Sequence, residues 1–272
     1  MTHDDTLSRR DILKKTFALG SGVFLCTFAV KAAKGESPDP TPAPKGAGDP
    51  TGSYKLPNGY EPSAHYYGYG IDLDKCIGCT RCVDACKTEN SVSRTEPNFR
   101  TWVERYVIRD DDTLEVCSPK GGLDPYPAIE DPGSVAKSFF VPKMCAHCER
   151  SPCEQVCPVG ATLKSPDGVV LIDKKYCIGC GYCIQACPYG CRYFDESTRT
   201  AGKCTLCYHR ITRGLRPACA EICPTGARVF GDLREKDGPL AKFLREHRVQ
   251  VLKPHMGTRP KLYYHNLDKE VR

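Results

Sequence analysis

The sequence lacks any stretch after its first 32 residues that is long and apolar enough to cross a membrane. The apolar run at residues 16–30 is shorter than the roughly 20 residues of a spanning helix, and Gly20 and Gly22 interrupt it. A glycine-rich dinucleotide- or phosphate-binding loop is also absent. If the protein works at a membrane, we therefore expect partners to hold it there.

A strong charge of one sign is lacking as well. The formal net charge is only +6 over 272 residues, and part of that surplus lies in the first 32 residues. We find no basic stripe interleaved with aromatic side chains, which is the usual footprint of a nucleic-acid-binding surface. No nucleic-acid partner is predicted.

Residues 1–32 have the pattern of a signal peptide. The segment from Ser8 to Lys14 reads SRRDILK, which fits the twin-arginine export motif, and a weakly apolar run follows it. Cleavage is expected after Ala32. Cys26 lies in the apolar run, but the residue before it is not small, as a lipoprotein signal requires, so we expect Cys26 to leave with the leader. The prediction is a periplasmic protein.

Two further regions follow the leader. Residues 33–65 are rich in proline, glycine and serine and predict an extended linker. Residues 66–272 are expected to form the folded domain, with an inserted segment at 87–144 that contacts a partner or covers part of that domain.

Cysteine is abundant: the sequence has nineteen. Sixteen of them fall into four groups at short, repeated spacings. The groups are Cys76, Cys79, Cys82 and Cys86; Cys145, Cys148, Cys153 and Cys157; Cys177, Cys180, Cys183 and Cys187; and Cys204, Cys207, Cys219 and Cys223. A proline follows the last cysteine of groups two, three and four.

This spacing is typical of ligands to [4Fe–4S] clusters. A tight C-x2-C-x2-C loop directs three sulfurs at one cluster, and glycines such as Gly78, Gly179 and Gly181 permit its backbone turns. We expect the fourth cysteine to begin a short helix that leads away from the loop. A zinc site needs only paired cysteines, and a disulfide framework would leave one of an odd number of thiols unpaired. Four [4Fe–4S] clusters are therefore predicted.

The fourth cysteine of each group is expected to ligate the other cluster of a pair. Neighbouring groups two and three exchange most simply, so Cys187 joins group two and Cys157 joins group three. Groups one and four then exchange, so Cys223 joins group one and Cys86 joins group four. Cys117 and Cys191 lie outside this framework. We interpret Cys191, four residues after Cys187, as a small buried residue packed near a cluster, with a substitute ligand or a redox thiol as the alternative.

The cysteine groups, together with Ile71-Asp72, Lys203 to Cys207 and Tyr263-Tyr264, resemble the four-cluster iron–sulfur subunits of the molybdopterin oxidoreductase superfamily. These subunits serve dimethyl-sulfoxide, tetrathionate, polysulfide and thiosulfate reductases. The sequence is also similar to the periplasmic iron–sulfur subunit of the membrane complex associated with dissimilatory sulfite reductase. The resemblance covers roughly residues 71–264 and implies the same exchange of fourth cysteines.

The resemblance implies an α+β, loop-rich fold of two ferredoxin-like modules, each with two [4Fe–4S] clusters. It also implies a non-catalytic subunit that relays electrons between a membrane quinone-linked subunit or cytochrome and a partner redox enzyme. The expected partners are a polytopic quinone-interacting membrane subunit and either a molybdopterin catalytic subunit or a multihaem cytochrome. The alternative is an iron–sulfur component of a transmembrane quinone or haem conduit in sulfur metabolism that lacks a molybdopterin partner.

Other classes are disfavoured. A stand-alone iron–sulfur enzyme would need an open iron site, but every group supplies four cysteines. We interpret His147 and His209 as structural residues rather than metal ligands. Four cations near group four are candidates for raising cluster potentials: Lys203, His209, Arg210 and Arg213.

Local patterns predict three elements of secondary structure. Residues 101–108 alternate as a strand. Residues 161–164 and 168–172 predict a hairpin that turns at 166–168. Residues 239–248 have the apolar spacing of a helix.

Overall fold

A computed structural model of the chain describes residues 56–57 and 59–271. The predicted signal peptide, its arginine motif, Cys26 and most of the linker lie outside the described residues. The start of the folded domain at residue 66 stays a prediction, although Leu56 and Tyr60 pack against the core. None of the helices in the described part of the chain is long and apolar enough to cross a membrane.

Short strands and helices alternate with long loops, in agreement with the α+β class. The strands are β1 (Tyr67–Asp72), β2 (Thr101–Arg109), β3 (Leu114–Cys117), β4 (Val135–Met144), β5 (Thr162–Lys164), β6 (Val170–Ile172), β7 (Arg192–Asp195), β8 (Thr200–Lys203), β9 (Arg228–Asp232), β10 (Val249–Gln250) and β11 (Leu262–His265). The α-helices are α1 (Arg81–Glu89), α2 (Pro152–Gln155), α3 (Tyr182–Gln185), α4 (Tyr208–Ile211), α5 (Ala218–Glu221) and α6 (Pro239–Glu246).

The largest sheet has the strand order β10-β11-β1-β9. Its central strand β1 runs parallel to β11, with Tyr69 opposite Leu262, and antiparallel to β9. Helix α6 covers this sheet, because its buried Leu240 and Phe243 lie against glycines of β1. The helix predicted at 239–248 is confirmed, but it ends at Glu246 since His247 is already extended.

The inserted segment contains a second sheet of order β3-β2-β4. Strand β2 confirms the strand predicted at 101–108 and pairs antiparallel with both neighbours. Phe140 of β4 lies directly over the first cysteine loop: a Cβ added to Gly78 would meet its ring at 2.4 Å, and Gly78 has φ +68°. The insertion thus covers the first cysteine group, and Gly78 is required there for both its backbone angle and its small size.

A small two-stranded hairpin follows the second cysteine group, and another follows the third. Strands β5 and β6 form the hairpin predicted from the sequence, with Gly168 at φ +80° in its turn. Strands β7 and β8 form the other hairpin after group three.

The short helices lie before the fourth cysteine, so the prediction that it begins a helix is wrong. Helices α2, α3 and α5 each contain the third cysteine of a group and end two residues before the fourth. Helix α1 contains both Cys82 and Cys86. Four residues of helix rise about 6 Å along the axis. The fourth sulfur is therefore displaced from its own loop by a full helical turn.

Candidate iron–sulfur sites

The structure brings the sixteen cysteines together in four sets of four, and each set draws its fourth member from a different group. Each set is named here after its first cysteine. The Cys76 set is Cys76, Cys79, Cys82 and Cys223; the Cys204 set is Cys204, Cys207, Cys219 and Cys86; the Cys145 set is Cys145, Cys148, Cys153 and Cys187; and the Cys177 set is Cys177, Cys180, Cys183 and Cys157.

Two of the sets each line one cavity. All four members of the Cys76 set surround a cavity that Val103 and Pro142 of the insertion close from one side. All four members of the Cys177 set surround a second cavity with Ala161 and Ala201. Because the fourth cysteine belongs to another group in both cavities, these positions agree with the predicted exchange.

Side-chain contacts define the other two sets. The Asn90 amide nitrogen lies 3.7 Å from the Cys86 sulfur and 3.6 Å from the Cys207 sulfur, so one side chain reaches both groups. The thiols that interact with Cys148 are those of Cys145, Cys153 and Cys187.

Several thiols lie close together in buried positions. Without a cation nearby, burial and the mutual repulsion of thiolates raise their pKa values. Burial, followed by the charges of neighbouring cysteines, raises the pKa of Cys148 to about 12. Burial likewise raises the pKa of Cys204 to about 12 and that of Cys76 to about 11. A cationic iron core would compensate four thiolates at each position, so metal binding would release protons.

Hydrogen-bond donors surround the sulfurs. The Leu206 amide lies 3.4 Å from the Cys204 sulfur, and the Tyr69 hydroxyl lies 3.2 Å from the Cys219 sulfur. The Thr162 and Ala201 amides each lie 3.5 Å from a sulfur of the Cys177 set. Such donors stabilise negative charge on sulfur and tune cluster potentials.

Three buried side-chain nitrogens of the described residues lack a hydrogen-bond partner in the protein. Within residues 56–57 and 59–271, the buried side-chain nitrogens that lack a hydrogen-bond partner are Arg105 Nε, His147 Nε2 and Arg192 Nη2. His147 lies between Cys145 and Cys148, and its Nδ1 accepts from the Val170 amide at 3.0 Å. Burial lowers the pKa of His147 well below its usual value, so the ring is neutral. The donor sets, the unpartnered Nη2 of Arg192 next to Cys183, and the unpartnered Nε2 of His147 in the loop between Cys145 and Cys148 fit [4Fe–4S] clusters.

In the part of the chain that the structure describes, the two cysteines outside the four sets differ from each other. Cys117 ends β3 at the edge of the inserted sheet. Cys191 is buried and donates to the Met144 carbonyl at 3.1 Å. A side-chain hydrogen bond between Cys187 and Cys191 is the main reason that the pKa of Cys187 falls to about 5. Cys191 is therefore a packing residue that also supports a neighbouring sulfur.

The cations predicted near group four have different surroundings. Lys203 is buried, with its Nζ 3.8 Å from the Cys145 sulfur and 2.6 Å from the Cys204 carbonyl. His209 and Arg210 instead pair with Glu89 at 2.6 Å and 3.0 Å, and Arg213 is exposed. The sequence interpretation missed two other buried cations, Arg192 and Arg228. Each begins a strand five residues after the fourth cysteine of its group, a position that the sequence interpretation did not consider.

The chain matches two families described as 4Fe-4S dicluster domain, one over residues 75–161 and one over residues 136–233. It is 40% identical over 206 residues to a tetrathionate reductase subunit of Salmonella typhimurium, covering 75% of this chain and 74% of that protein. It is 43% identical over 201 residues to a tetrathionate reductase subunit of Archaeoglobus fulgidus, covering 74% and 82%. A polysulfide reductase polypeptide of Wolinella succinogenes is 35% identical over 202 residues, covering 74% and 94%.

The two matched domains and the cysteine sets define a class of 4Fe-4S dicluster electron-transfer proteins. Within that class, the chain belongs to the family of iron–sulfur subunits of the molybdopterin oxidoreductases. The resemblance found in the sequence is confirmed.

Proposed function

We propose that the chain is a periplasmic, non-catalytic subunit that carries four [4Fe–4S] clusters and relays electrons between two redox partners. The sixteen cysteines of the four sets are the proposed iron ligands. When bound, each cluster accepts and returns one electron. The protein itself holds the clusters in position and sets their environment.

The observation that carries this proposal is the order of the sets. Cys204 interacts with Cys145, so these two sets are neighbours. Cys82 interacts with Cys219, so the Cys76 set adjoins the Cys204 set. Arg192 interacts with both Cys183 and Cys153, so the Cys177 set adjoins the Cys145 set. The row therefore runs from the Cys177 set through the Cys145 and Cys204 sets to the Cys76 set.

The ends of this row are the parts that reach solvent. Among the cysteines of the described residues, the exposed ones are Cys79 and Cys180, one in each terminal set. Exposed apolar residues stand beside them, with Ile77 61% exposed and Ile178 64% exposed. Such ends suit docking of an electron donor and an electron acceptor.

The relatives' names support particular partners. Several are named as one subunit of a reductase, which places those proteins in multi-subunit complexes. By analogy we propose a molybdopterin catalytic subunit at one end and a polytopic quinone-interacting membrane subunit at the other. Membrane association would then come through the partners.

The cluster count is tested by metal analysis. The anaerobically purified chain is expected to contain about sixteen iron atoms, because sixteen cysteines fill four cubanes. A value near eight iron atoms, or zinc as the main metal, would refute the assignment.

The location is tested by fractionation. Replacing both arginines of the export motif (Arg9→Lys with Arg10→Lys) is expected to abolish delivery to the periplasm. The matched control is Arg94→Lys, a change of the same kind in the folded domain. Unchanged export of the double variant would show that residues 1–32 are not a twin-arginine signal.

A further inference from the structure

Five cationic side chains of the described residues are buried: Lys87, Arg192, Lys203, Arg228 and Lys261. None of them forms a salt bridge with a carboxylate of the described chain. Two of the five donate to a backbone carbonyl outside the cysteine groups. The Nζ of Lys87 donates to the Ser93 carbonyl at 2.5 Å, and the Nζ of Lys261 donates to the Gly168 carbonyl. The remaining three, Arg192, Lys203 and Arg228, lie among the cysteine sets.

Arg192 lies between the Cys177 set and the Cys145 set. It is 6% exposed and interacts with Cys183 on one side and with Cys153 on the other. Its Nη1 donates to the Thr162 hydroxyl at 3.2 Å, while its Nη2 is buried without a partner atom.

Lys203 lies between the Cys145 set and the Cys204 set. It is 2% exposed, and its Nζ is 3.8 Å from the Cys145 sulfur and 2.6 Å from the carbonyl of Cys204. The ammonium group therefore contacts one residue of each set.

Arg228 lies between the Cys204 set and the Cys76 set. It is 3% exposed, lines the cavity of the Cys76 set, and interacts with both Cys82 and Cys219. The Thr101 hydroxyl, 2.8 Å from its Nη2, orients the guanidinium.

Each of the three gaps in the row thus contains one buried cation. A buried charge without an opposite charge is strongly destabilising, so these side chains need anions nearby. Clusters held by four thiolates are anionic and become more so on reduction. Because charges interact more strongly in a buried, low-dielectric setting than in water, a cation in a gap acts on both neighbours.

We propose that Arg192, Lys203 and Arg228 are potential-setting residues, each of which raises the reduction potentials of the two clusters that flank its gap. This inference rests on the four-cluster function proposed above. A cation between two clusters stabilises the reduced form of each of them. Because it acts on both, it makes reduction of either cluster easier and does not favour electron transfer in one direction.

The experiment is a redox titration of the full, anaerobically purified chain, followed by electron paramagnetic resonance. Serine variants of one cysteine per set assign each midpoint potential to a set. The neutral variants are Arg192→Gln, Lys203→Met and Arg228→Gln. The control is Arg245→Gln, which removes an exposed charge of the same sign from α6.

Each neutral variant is expected to lower two potentials and leave the other two unchanged. Arg192→Gln is expected to lower the potentials of the Cys177 and Cys145 sets. Lys203→Met is expected to lower the potentials of the Cys145 and Cys204 sets. Arg228→Gln is expected to lower the potentials of the Cys204 and Cys76 sets. The control changes none. Unchanged potentials, a shift of one cluster alone, or an equal shift of all four would overturn the proposal.

Charge-keeping variants separate charge from packing. Lys203→Arg and Arg228→Lys are expected to keep all four potentials near those of the unaltered chain, even if a neutral variant at the same position fails to assemble its clusters. A charge-keeping variant that lowers both flanking potentials would overturn the proposal. If the proposed four-cluster function is itself wrong, the unaltered chain would contain fewer than about sixteen iron atoms. That result is distinct from a failure of the proposal about the three cations.

Discussion

The Cys204 set and the Cys177 set have the same composition but opposite surroundings. All four cysteines of the Cys204 set are buried. In the Cys177 set only Cys183 is buried, and Cys180 is exposed. Cys204 and Cys219 of the first set belong to the core cluster that contains Tyr69 and Tyr208. The second set borders the two small hairpins, and Tyr176 and Tyr182 beside its cysteines are exposed.

The difference in burial determines which groups stabilise the negative charge on the sulfurs of each set. Burial keeps solvent away from the Cys204 set, so an amide, a hydroxyl and buried cations must stabilise the charge of its sulfurs. At the Cys177 set, solvent and backbone amides serve the same purpose. An exposed set can also approach a partner, which a buried one cannot.

The largest effect is expected from removing an exchanged ligand of the buried set. Cys86→Ser should convert or destroy the cluster of the Cys204 set while the other three clusters remain. Serine is a poorer ligand, and the other cysteine of α1, Cys82, belongs to the Cys76 set. Iron analysis and electron paramagnetic resonance should show one altered cluster, with a [3Fe–4S] signal as one expected sign.

The matched control is Cys117→Ser, at a cysteine outside every set. It should leave about sixteen iron atoms in place. If Cys86→Ser instead altered the cluster held by Cys76, Cys79 and Cys82, the exchange of fourth cysteines would be refuted.

An intermediate effect, on the thermal stability of the cluster, is expected from replacing glycines in the exposed Cys177 set. Two glycines of one loop can be compared there. Gly179 and Gly181 both have positive φ, +70° and +78°. A Cβ at Gly179 would lie 2.6 Å from the Arg199 carbonyl oxygen, whereas a Cβ at Gly181 would meet nothing within 4 Å. Both alanine variants incur about 1–2 kcal/mol for the backbone angle, and Gly179→Ala about 1–3 kcal/mol more for the overlap.

The measurement is the rate at which cluster absorbance bleaches on heating. Gly179→Ala should bleach about tenfold faster than Gly181→Ala, since tenfold corresponds to about 1.4 kcal/mol. Equal rates would show that the close approach of the Arg199 carbonyl does not constrain this loop.

The smallest effect is expected from removing one amide donor. Asn90→Leu deletes the nitrogen that approaches Cys86 and Cys207, and it should lower the potential of the Cys204 set alone. One hydrogen bond of about 1 kcal/mol corresponds to ~40 mV for a one-electron couple. Redox titration measures the shift, with Asn98→Leu as the control because that amide bonds Glu96 instead.

Much of the site was predictable because cluster ligation needs a fixed residue type at short spacing. The cysteine groups, the Ala161–Ile172 hairpin and strand β2 all follow from local patterns that the structure retains. The order of the sets was not predictable, because it depends on contacts between segments far apart in the chain. Arg192 and Arg228 each lie five residues after a fourth cysteine, but the spacing alone does not show that their side chains are buried between two sets.

The helix beside the fourth cysteine shows a different limit. Spacing alone predicts that a helix lies near Cys157, Cys187 and Cys223, but it does not decide on which side. Pro158, Pro188 and Pro224 follow these cysteines, and a residue before proline is disfavoured in a helix. The helices therefore end before the fourth cysteine.

The central claim is that four clusters lie in one row with exchanged ligands, and crystallography at the iron absorption edge tests it most directly. Crystals of the anaerobically purified chain are expected to show four iron sites in the order Cys177, Cys145, Cys204 and Cys76 sets. Cys223 should contact the cluster held by Cys76, Cys79 and Cys82. Fewer than four sites, or the Cys223 sulfur bound beside Cys204, Cys207 and Cys219, would contradict the account.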